Sequence, residues 1–310
     1  MDYYCVDRGS ERCPCILMEA GQCYSCSMIR MGKCDCGSLW QGVCPYTEYL
    51  QRNKKALPEI KVRGFKVSCI KSYSPTLSVL TVETPLAFAL KCKEMGAFLM
   101  VGWKNWFIPL SVLKVFKDLE NQVGYVDIAV NATGPKTIGL LKKSIIGNEL
   151  QIKGPFYSGL VNKEGFKKDA NSLVVARGIA AMPLVNIKDE LKRNLVSVKI
   201  DPGKLTEEFL DYYFEDIDYE IVDLENDFFE VTESVKEDYG YNYKEHQKPN
   251  LFLMTSPYYV EKFIKLTGFN KKNIIIPNHS NMCCGEGYCG SCSSTDLDGV
   301  TVRKCKCIDT

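Results

Sequence analysis

Histidine is nearly missing from this chain: His246 and His279 are the only two in 310 residues. No Ser/His/Asp set, P-loop or paired-carboxylate pattern stands out either, so hydrolytic chemistry has little to work with. Both histidines read as loop residues, and His279, three residues before Met282, is also placed to hydrogen-bond near the cysteines that follow. An excess of charge of one sign is missing as well. A formal net charge of +1 gives no global attraction to nucleic acid or to a membrane surface. No apolar run is long enough to cross a bilayer. Met1-Asp2-Tyr3-Tyr4-Cys5 has neither the basic nor the apolar region of a secretory signal. The expectation is a cytoplasmic protein with no membrane or nucleic-acid partner. Hydrophobic content of 45% and charged content of 25% are those of a soluble globular chain, long enough for two or three domains.

Cysteine is missing from the middle and crowded at the ends. Of 16 cysteines, eight precede residue 45, six follow residue 282, and only Cys69 and Cys92 fall between, where they read as buried small hydrophobes. A disulfide scaffold is small and loop-rich. Two cysteine-rich ends around a long ordinary middle read instead as metal sites in a reducing compartment.

The C-terminal array is the sharper of the two. Cys284, Cys289 and Cys292 stand in a C-x4-C-x2-C spacing, and Cys305 follows twelve residues later. That is the opening of a plant-type [2Fe–2S] site with the last cysteine closer than usual. Thiolates suit iron, and Gly285, Gly287 and Gly290 let a tight loop aim N–H groups at sulfur. Cys283 and Cys307 are spare donors. The bland alternative is a zinc knuckle, since Cys289 and Cys292 also make half a zinc site.

At the other end, Cys5, Cys13, Cys15 and Cys23 recur as Cys26, Cys34, Cys36 and Cys44, each displaced by 21 residues, with Gly21/Gly42 and Arg12/Lys33 in step. Each copy offers the four thiolates that one tetrahedral ion or one [4Fe–4S] cluster needs. Ligands need not respect the copies: Cys13, Cys15, Cys23 and Cys26 make one grouping, with Cys5, Cys34, Cys36 and Cys44 left for another. Zinc and iron–sulfur both remain open here. Few large apolar residues lie in this segment, so metal binding would supply folding free energy.

Between the ends the pattern changes twice. Residues 45 to 58 read as a short polar helix and a linker. From Lys61, short apolar runs bounded by Ser, Pro and Gly predict strands around Val62–Ile70, Leu77–Val82, Phe98–Val101, Phe107–Leu113, Tyr125–Val130 and Leu150–Ile152, the signature of a small antiparallel barrel. From Ser172, strands and helices alternate. Strands are expected at Leu173–Val175, Val196–Ile200, Tyr219–Val222, Leu251–Met254 and Asn273–Ile276. Helices are expected up to Arg193 and at Leu205–Tyr213, Phe229–Val235 and Pro257–Leu266. That alternation implies a parallel α/β sheet. The expected segments are residues 1–55, 56–168, 169–276 and 277–310.

This order of parts resembles the electron-transfer subunit of dihydroorotate dehydrogenase, within the ferredoxin–NADP reductase superfamily. The resemblance spans about residues 60 to 307, and its most specific motif is Met282 to Cys305. Gly96-Ala97-Phe98-Leu99-Met100 resembles the strand before the flavin motif, and Pro109-Leu110-Ser111-Val112 the end of the flavin-binding Arg-x-Pro-x-Ser segment. Gly134-Pro135-Lys136-Thr137 resembles the flavin pyrophosphate turn, and Gly154 to Gly159 the turn that leaves the barrel. The resemblance implies FAD on the barrel near Pro109, Leu110, Ser111, Gly134, Lys136 and Thr137, and a [2Fe–2S] cluster on Cys284, Cys289, Cys292 and Cys305. It also implies a nucleotide-binding sheet and electron passage between flavin and cluster. Trp103 and Trp106 are placed to flank an isoalloxazine ring.

The departures are specific. The family's flavin arginine is missing from Phe107-Ile108-Pro109, leaving Lys104 or Lys136 as point-charge substitutes. The Gly-rich nucleotide turn reads Ala176-Arg177-Gly178-Ile179-Ala180-Ala181-Met182-Pro183, in which Gly178 survives. Each lost glycine adds a Cβ where a pyrophosphate must approach. The Cys-Gly-Pro near the nicotinamide reads Thr255-Ser256-Pro257. Acids dominate from Glu207 to Asp238, a field that repels a dinucleotide and reads either as a solvated face or as a dock for a basic redox partner. The expectation is an oxidoreductase component, an electron-transfer iron–sulfur flavoprotein serving a redox partner. NAD(P) binding is weakened or absent, and the oligomeric state is open. The alternatives are a metal-stabilised scaffold with a degenerate flavin fold and a free-standing NAD(P)H-dependent reductase.

Overall fold

The computed structural model describes residues 3–37, 43–103, 106–240, 248–296 and 299–309. Lys104, His246 and Gly42 lie outside the described residues.

The chain opens with a short strand, β1 (Tyr3–Cys5), and three short helices, α1 (Ile16–Glu19), α2 (Ser27–Met31) and α3 (Pro45–Gln51). Cys15, Cys26 and Cys44 are their N-cap residues, each in extended geometry.

Next come β2 (Arg63–Ser72), β3 (Leu77–Pro85), α4 (Leu86–Lys91), β4 (Phe98–Trp103), β5 (Trp106–Asp118), β6 (Val123–Asn131), α5 (Pro135–Lys143) and β7 (Glu149–Phe156). The six strands close into a barrel in the order β2-β3-β6-β5-β4-β7, every neighbouring pair antiparallel. Its interior is built from Val67, Leu80, Val82, Leu99, Val112 and Ile128, all fully buried. Each such side chain contributes roughly 1.5–3 kcal/mol relative to exposure. Cys92 belongs to this core, whereas Cys69 is exposed. The β2–β3 register shifts between Val67 and Cys69, and that irregularity breaks the alternation that would have turned Cys69 inward.

The α/β half holds β8 (Leu160–Val161), β9 (Ser172–Arg177), α6 (Met182–Asn186), α7 (Lys188–Leu191), β10 (Leu195–Asp201), α8 (Glu207–Tyr213), β11 (Glu220–Ile221), α9 (Phe228–Gly240), β12 (Asn250–Met254), α10 (Pro257–Thr267) and β13 (Ile274–Pro277). The sheet order is β11-β10-β9-β12-β13-β8. β9 to β13 are parallel to one another and β8 is antiparallel at the edge. Alternation along β9 and β12 sends residues to opposite faces. Val174, Ala176, Phe252 and Met254 join Leu184, Val185, Phe209 and Tyr213 on one side. Leu173, Val175, Leu251 and Leu253 join Phe228, Val231, Val260 and Phe263 on the other. Burial on both faces is why these strands read as continuous apolar runs. The helix expected up to Arg193 is instead broken into pieces, because Ile187 is buried and leaves helical geometry at φ −112° and ψ 11°.

A buried polar link ties the barrel to α8. Thr81 Oγ1 donates to Asp127 Oδ1 at 2.7 Å and Tyr213 Oη donates to Oδ2 at 3.0 Å. Burial raises the Asp127 carboxyl above its usual range, and the two donors oppose that shift.

The chain closes with β14 (Ser293–Thr295), β15 (Thr301–Arg303) and β16 (Cys307–Asp309). β14 and β15 form an antiparallel pair, and β16 pairs with β1. Two compact units result. One joins the two cysteine-rich ends, Met1–Val62 with Ser280–Thr310; the other, Arg63–His279, holds the barrel and the sheet.

Candidate functional site

In the cysteine-rich unit the loop after Met282 gathers the four cysteines of the C-terminal array. The thiols of Cys305 and Cys289 hydrogen-bond to Cys284, and Cys305 also hydrogen-bonds to Cys292. Backbone N–H groups join them: Glu286 N–H donates to Cys284 Sγ and Cys305 N–H to Cys292 Sγ, each at 3.4 Å. The turns that aim these groups need positive φ at Gly285 and Gly287, 73° and 85°, which a side chain would strain. Hydrogen bonds from Cys305 hold the Cys284 thiol down at about 4 and the Cys292 thiol at about 6, against the opposing effect of burial. Cys305, as the donor, is pushed up. Among the described residues, no three or more His, Cys, Asp or Glu side chains are arranged around a point that one metal ion would fill. The thiols contact one another instead. In donor type, four cysteines linked through their thiols, with two N–H groups directed at their sulfurs, would suit a [2Fe–2S] cluster. Cys283 is exposed.

The N-terminal cysteines form smaller local groups. Cys34 and Cys36 hydrogen-bond to each other, and Arg8 donates to Cys36 Sγ at 3.9 Å. Cys44 stands at the start of α3, where Thr47 and Tyr46 hydrogen-bond to its sulfur. Cys13, Cys23 and Cys26 pack with Met18 and Tyr49 in a small core. Burial pushes the Cys13 and Cys23 thiols up to about 12.

In the larger unit, the β4–β5 register pairs Phe98 with Ser111 and Met100 with Pro109. Leu110 turns into the barrel core, so its side chain is not offered to a ligand on the outer face. Pro109 is exposed and Ser111 half-buried, and counting back by two places Phe107 on their face. Phe107 therefore stands where the resembling family has its arginine. Its ring lies across Gly102, where an added Cβ would come within 2.5 Å. Trp103 is opposite Trp106 in the register. The Trp106 indole rests beside Gly139 of α5, 3.8 Å from where a Cβ would stand. Gly134 caps α5, its N–H donating to Thr137 Oγ1 at 3.2 Å. Space in front of Gly134 is open, with no atom within 4 Å of an added Cβ. The next N–H groups, of Lys136 and Thr137, point out of the helix start, a setting suited to phosphate. Lys136 is exposed beside them. These residues fit FAD, with Lys136 as the described cation at the turn.

The carboxyl ends of β9, β10 and β12 are where a nucleotide binds in such sheets. Here they are filled by a cluster that the sequence reading missed. Arg177, the last residue of β9, pairs through Nε with Asp201 Oδ2 at 2.9 Å. Its other nitrogens meet Glu225 and the Tyr259 hydroxyl. The pairing with Glu225 strengthens the guanidinium charge. Asp201 is buried and also accepts N–H bonds from Gly203 and Leu224 at 2.9 and 3.1 Å. Gly178 and Gly203 both have positive φ, and a Cβ on Gly203 would stand 3.5 Å from Gly178 Cα. The Pro202–Gly203 loop thus lies against the turn that a pyrophosphate would approach. His279 Nε2 is 2.8 Å from the Thr255 carbonyl oxygen, which ties it to the end of β12. A cavity of about 240 Å³, bordered by Lys167, Lys248, Lys272 and Asn250, opens at the amino ends of β12 and β13, the opposite edge.

The acidic stretch from Glu207 to Asp238 spreads over α8, β11 and α9, and much of it is engaged within the chain. Glu208 pairs with Lys71 at 2.9 Å, Asp216 with Lys188 and Lys192 at 3.7 and 3.4 Å, and Glu220 with Lys199. Among the described residues, no helix is long and apolar enough to cross a membrane.

No family model matches the chain, and no curated protein matches it in sequence. Solved structures do. An NADH-dependent reduced ferredoxin–NADP oxidoreductase of flavin-based electron bifurcation aligns at TM-score 0.56 and 17% identity, over 79% of this chain and 86% of that one. Phthalate dioxygenase reductase, a modular protein for electron transfer from pyridine nucleotides to [2Fe–2S], aligns at 0.53 and 15%, over 80% and 95%. A ferredoxin–NADP+ reductase from Neisseria gonorrhoeae, with FAD and NADP bound, aligns at 0.51 and 13%, over 71% and 99%. With its closed six-stranded antiparallel barrel and parallel α/β sheet, the chain has the fold of the ferredoxin–NADP reductase-like flavoprotein reductases.

Proposed function

We propose that this protein is an electron-transfer iron–sulfur flavoprotein that exchanges electrons with a redox partner protein. The observation that carries the reading is the gathering of Cys284, Cys289 and Cys292, from one glycine-turned loop, with Cys305, which follows β15, in a chain whose middle has a flavoreductase fold. FAD would be held by the N–H groups of Lys136 and Thr137 at its pyrophosphate, with the Lys136 ammonium as counter-charge. The Pro109–Ser111 face would lie along the ring, with Trp106 beside α5. A flavin exchanges two electrons on one side and one on the other, and a [2Fe–2S] cluster carries one. The protein residues bind, orient and exclude water. Phe107, on the Pro109–Ser111 face, would present apolar surface to a flat ring, and the N–H groups of Glu286 and Cys305, directed at Cys284 and Cys292, would offset thiolate charge.

The three solved structures, each a reductase by name, support this class of activity. The Arg177 cluster at the carboxyl edge of the sheet favours this reading over a free-standing NAD(P)H reductase. Phe107 in place of an arginine favours the scaffold reading as the runner-up. Gel filtration of anaerobically purified protein separates the two. Flavin is expected to co-elute at about one per chain, and Lys136→Glu to lower that occupancy at least about tenfold, the size of one lost charge-assisted contact and an added repulsion. Flavin-free protein that also fails to take up added FAD would leave the scaffold.

A further inference from the structure

The cavity at the amino ends of β12 and β13 has no part in electron transfer, yet it is built from fixed turns and charge of one sign. Its volume is about 240 Å³. Lys167, Lys248 and Lys272 border it. Each comes from a different segment: the connection from β8 to β9, the residues before β12 and the turn before β13. Among the described residues that border it there is no aspartate, glutamate or arginine.

Two buried asparagines hold the backbone beneath these lysines. Asn250, 6% exposed, accepts from the Lys167 N–H and donates to the Lys167 carbonyl, both at 2.9 Å. Asn162, 9% exposed, donates to the carbonyls of Lys271 and Ile274, both at 2.8 Å. Asn270 Oδ1 accepts from the Lys272 N–H at 3.0 Å. The turns that carry Lys167 and Lys272 are thus set before a ligand arrives, which lowers the ordering cost of binding. Tyr239, in the last turn of α9, forms one wall, its ring packed on Phe269 at 4.6 Å between centroids. Burial raises its hydroxyl above the usual range, so it stays a donor.

Charge selects the ligand. Ammonium groups donate and never accept, and three of them around one cavity repel one another until an anion enters. The end of α9 brings about half a negative charge to this edge, which three full positive charges outweigh. Lysines act as point charges, and three arriving from different segments suit oxygens that point in several directions, as on a phosphoryl group. The volume lies just below the roughly 300 Å³ at which pockets for drug-sized molecules begin, too small for a dinucleotide. We propose that this cavity binds a small phosphate-bearing anion, held by the ammonium groups of Lys167, Lys248 and Lys272. The site is independent of the function proposed above, since it uses neither the cysteines nor the residues assigned to FAD.

Calorimetric titration of the full, anaerobically purified chain tests this, with inorganic pyrophosphate as the probe and ionic strength held constant with sodium chloride. Pyrophosphate is expected to bind at about one per chain with a Kd below about 1 mM. Lys167→Ala and Lys272→Ala should each weaken binding about tenfold, the effect of one lost charge-assisted hydrogen bond, and the double substitution should weaken it at least about fiftyfold. Lys117→Ala, at an exposed position of β5 outside the cavity, should leave it unchanged. Orthophosphate and AMP separate the sources of the phosphate. Tighter binding of AMP indicates an ester whose body lies against Tyr239; tighter binding of orthophosphate indicates the free anion. Four results would overturn the proposal. One is no pyrophosphate binding by the native chain. A second is binding that survives the double substitution and is lost in Lys136→Glu, which would place the probe at the turn before α5. A third is an equal loss in Lys117→Ala, the mark of surface charge alone. The last is citrate binding more tightly than pyrophosphate, which would make the ligand a polycarboxylate.

Discussion

Cys305→Ser is expected to remove the [2Fe–2S] centre outright. The substitution keeps side-chain size but replaces a soft donor that hydrogen-bonds to both Cys284 and Cys292. Iron content should fall by about two per chain, and the EPR signal of the reduced centre should vanish. The cysteine-rich unit should lose thermal stability, because ligation substitutes for the core it lacks. Flavin content should stay unchanged, since the residues assigned to FAD belong to the unit of Arg63–His279. Cys69→Ser, at an exposed position of β2, is the matched control and should alter none of these. Retention of full iron and sulfide in Cys305→Ser would remove Cys305 from the ligand set.

NADH and NADPH are expected to leave the bound flavin oxidised in anaerobic absorption spectra, while dithionite reduces it. Seating a dinucleotide at the carboxyl edge requires moving Arg177 from Asp201, Glu225 and Tyr259. Breaking such a partly buried network costs about 3 kcal/mol, which alone lowers affinity by roughly a hundredfold. The Pro202–Gly203 loop must also leave Gly178, since a Cβ on Gly203 would already stand 3.5 Å from Gly178 Cα. Rapid bleaching by either nucleotide at micromolar concentration would contradict this and restore the free-standing reductase.

How far the sequence carried the reading depended on the range of the forces involved. Strands such as β3, β6 and β12 were visible because alternation or a continuous apolar run is a local property, and the structure keeps their ends within three residues. The break at Ile187 was not, because a buried side chain there overrides the helical pattern. Cys69 was misplaced for a similar reason: one irregularity between Val67 and Cys69 reverses the face that simple counting gives. Spacing alone singled out Cys284, Cys289, Cys292 and Cys305, whose thiols the structure brings into contact. The meeting of Cys5 with Cys307 was out of reach, because it comes through pairing of strands at opposite ends of the chain. The weak nucleotide motif was legible in the loss of glycines around Gly178. What fills the edge, Arg177 on Asp201, is a contact between neighbouring strands and left as its only trace an Asp immediately after the predicted Val196–Ile200 strand.

The measurement that bears most directly on the central claim is the EPR spectrum of the anaerobically purified, dithionite-reduced full chain, taken with iron and acid-labile sulfide counts. The account predicts a one-electron-reduced [2Fe–2S] signal with iron and sulfide present in equal amounts. An EPR-silent, colourless protein containing zinc and no labile sulfide would contradict it.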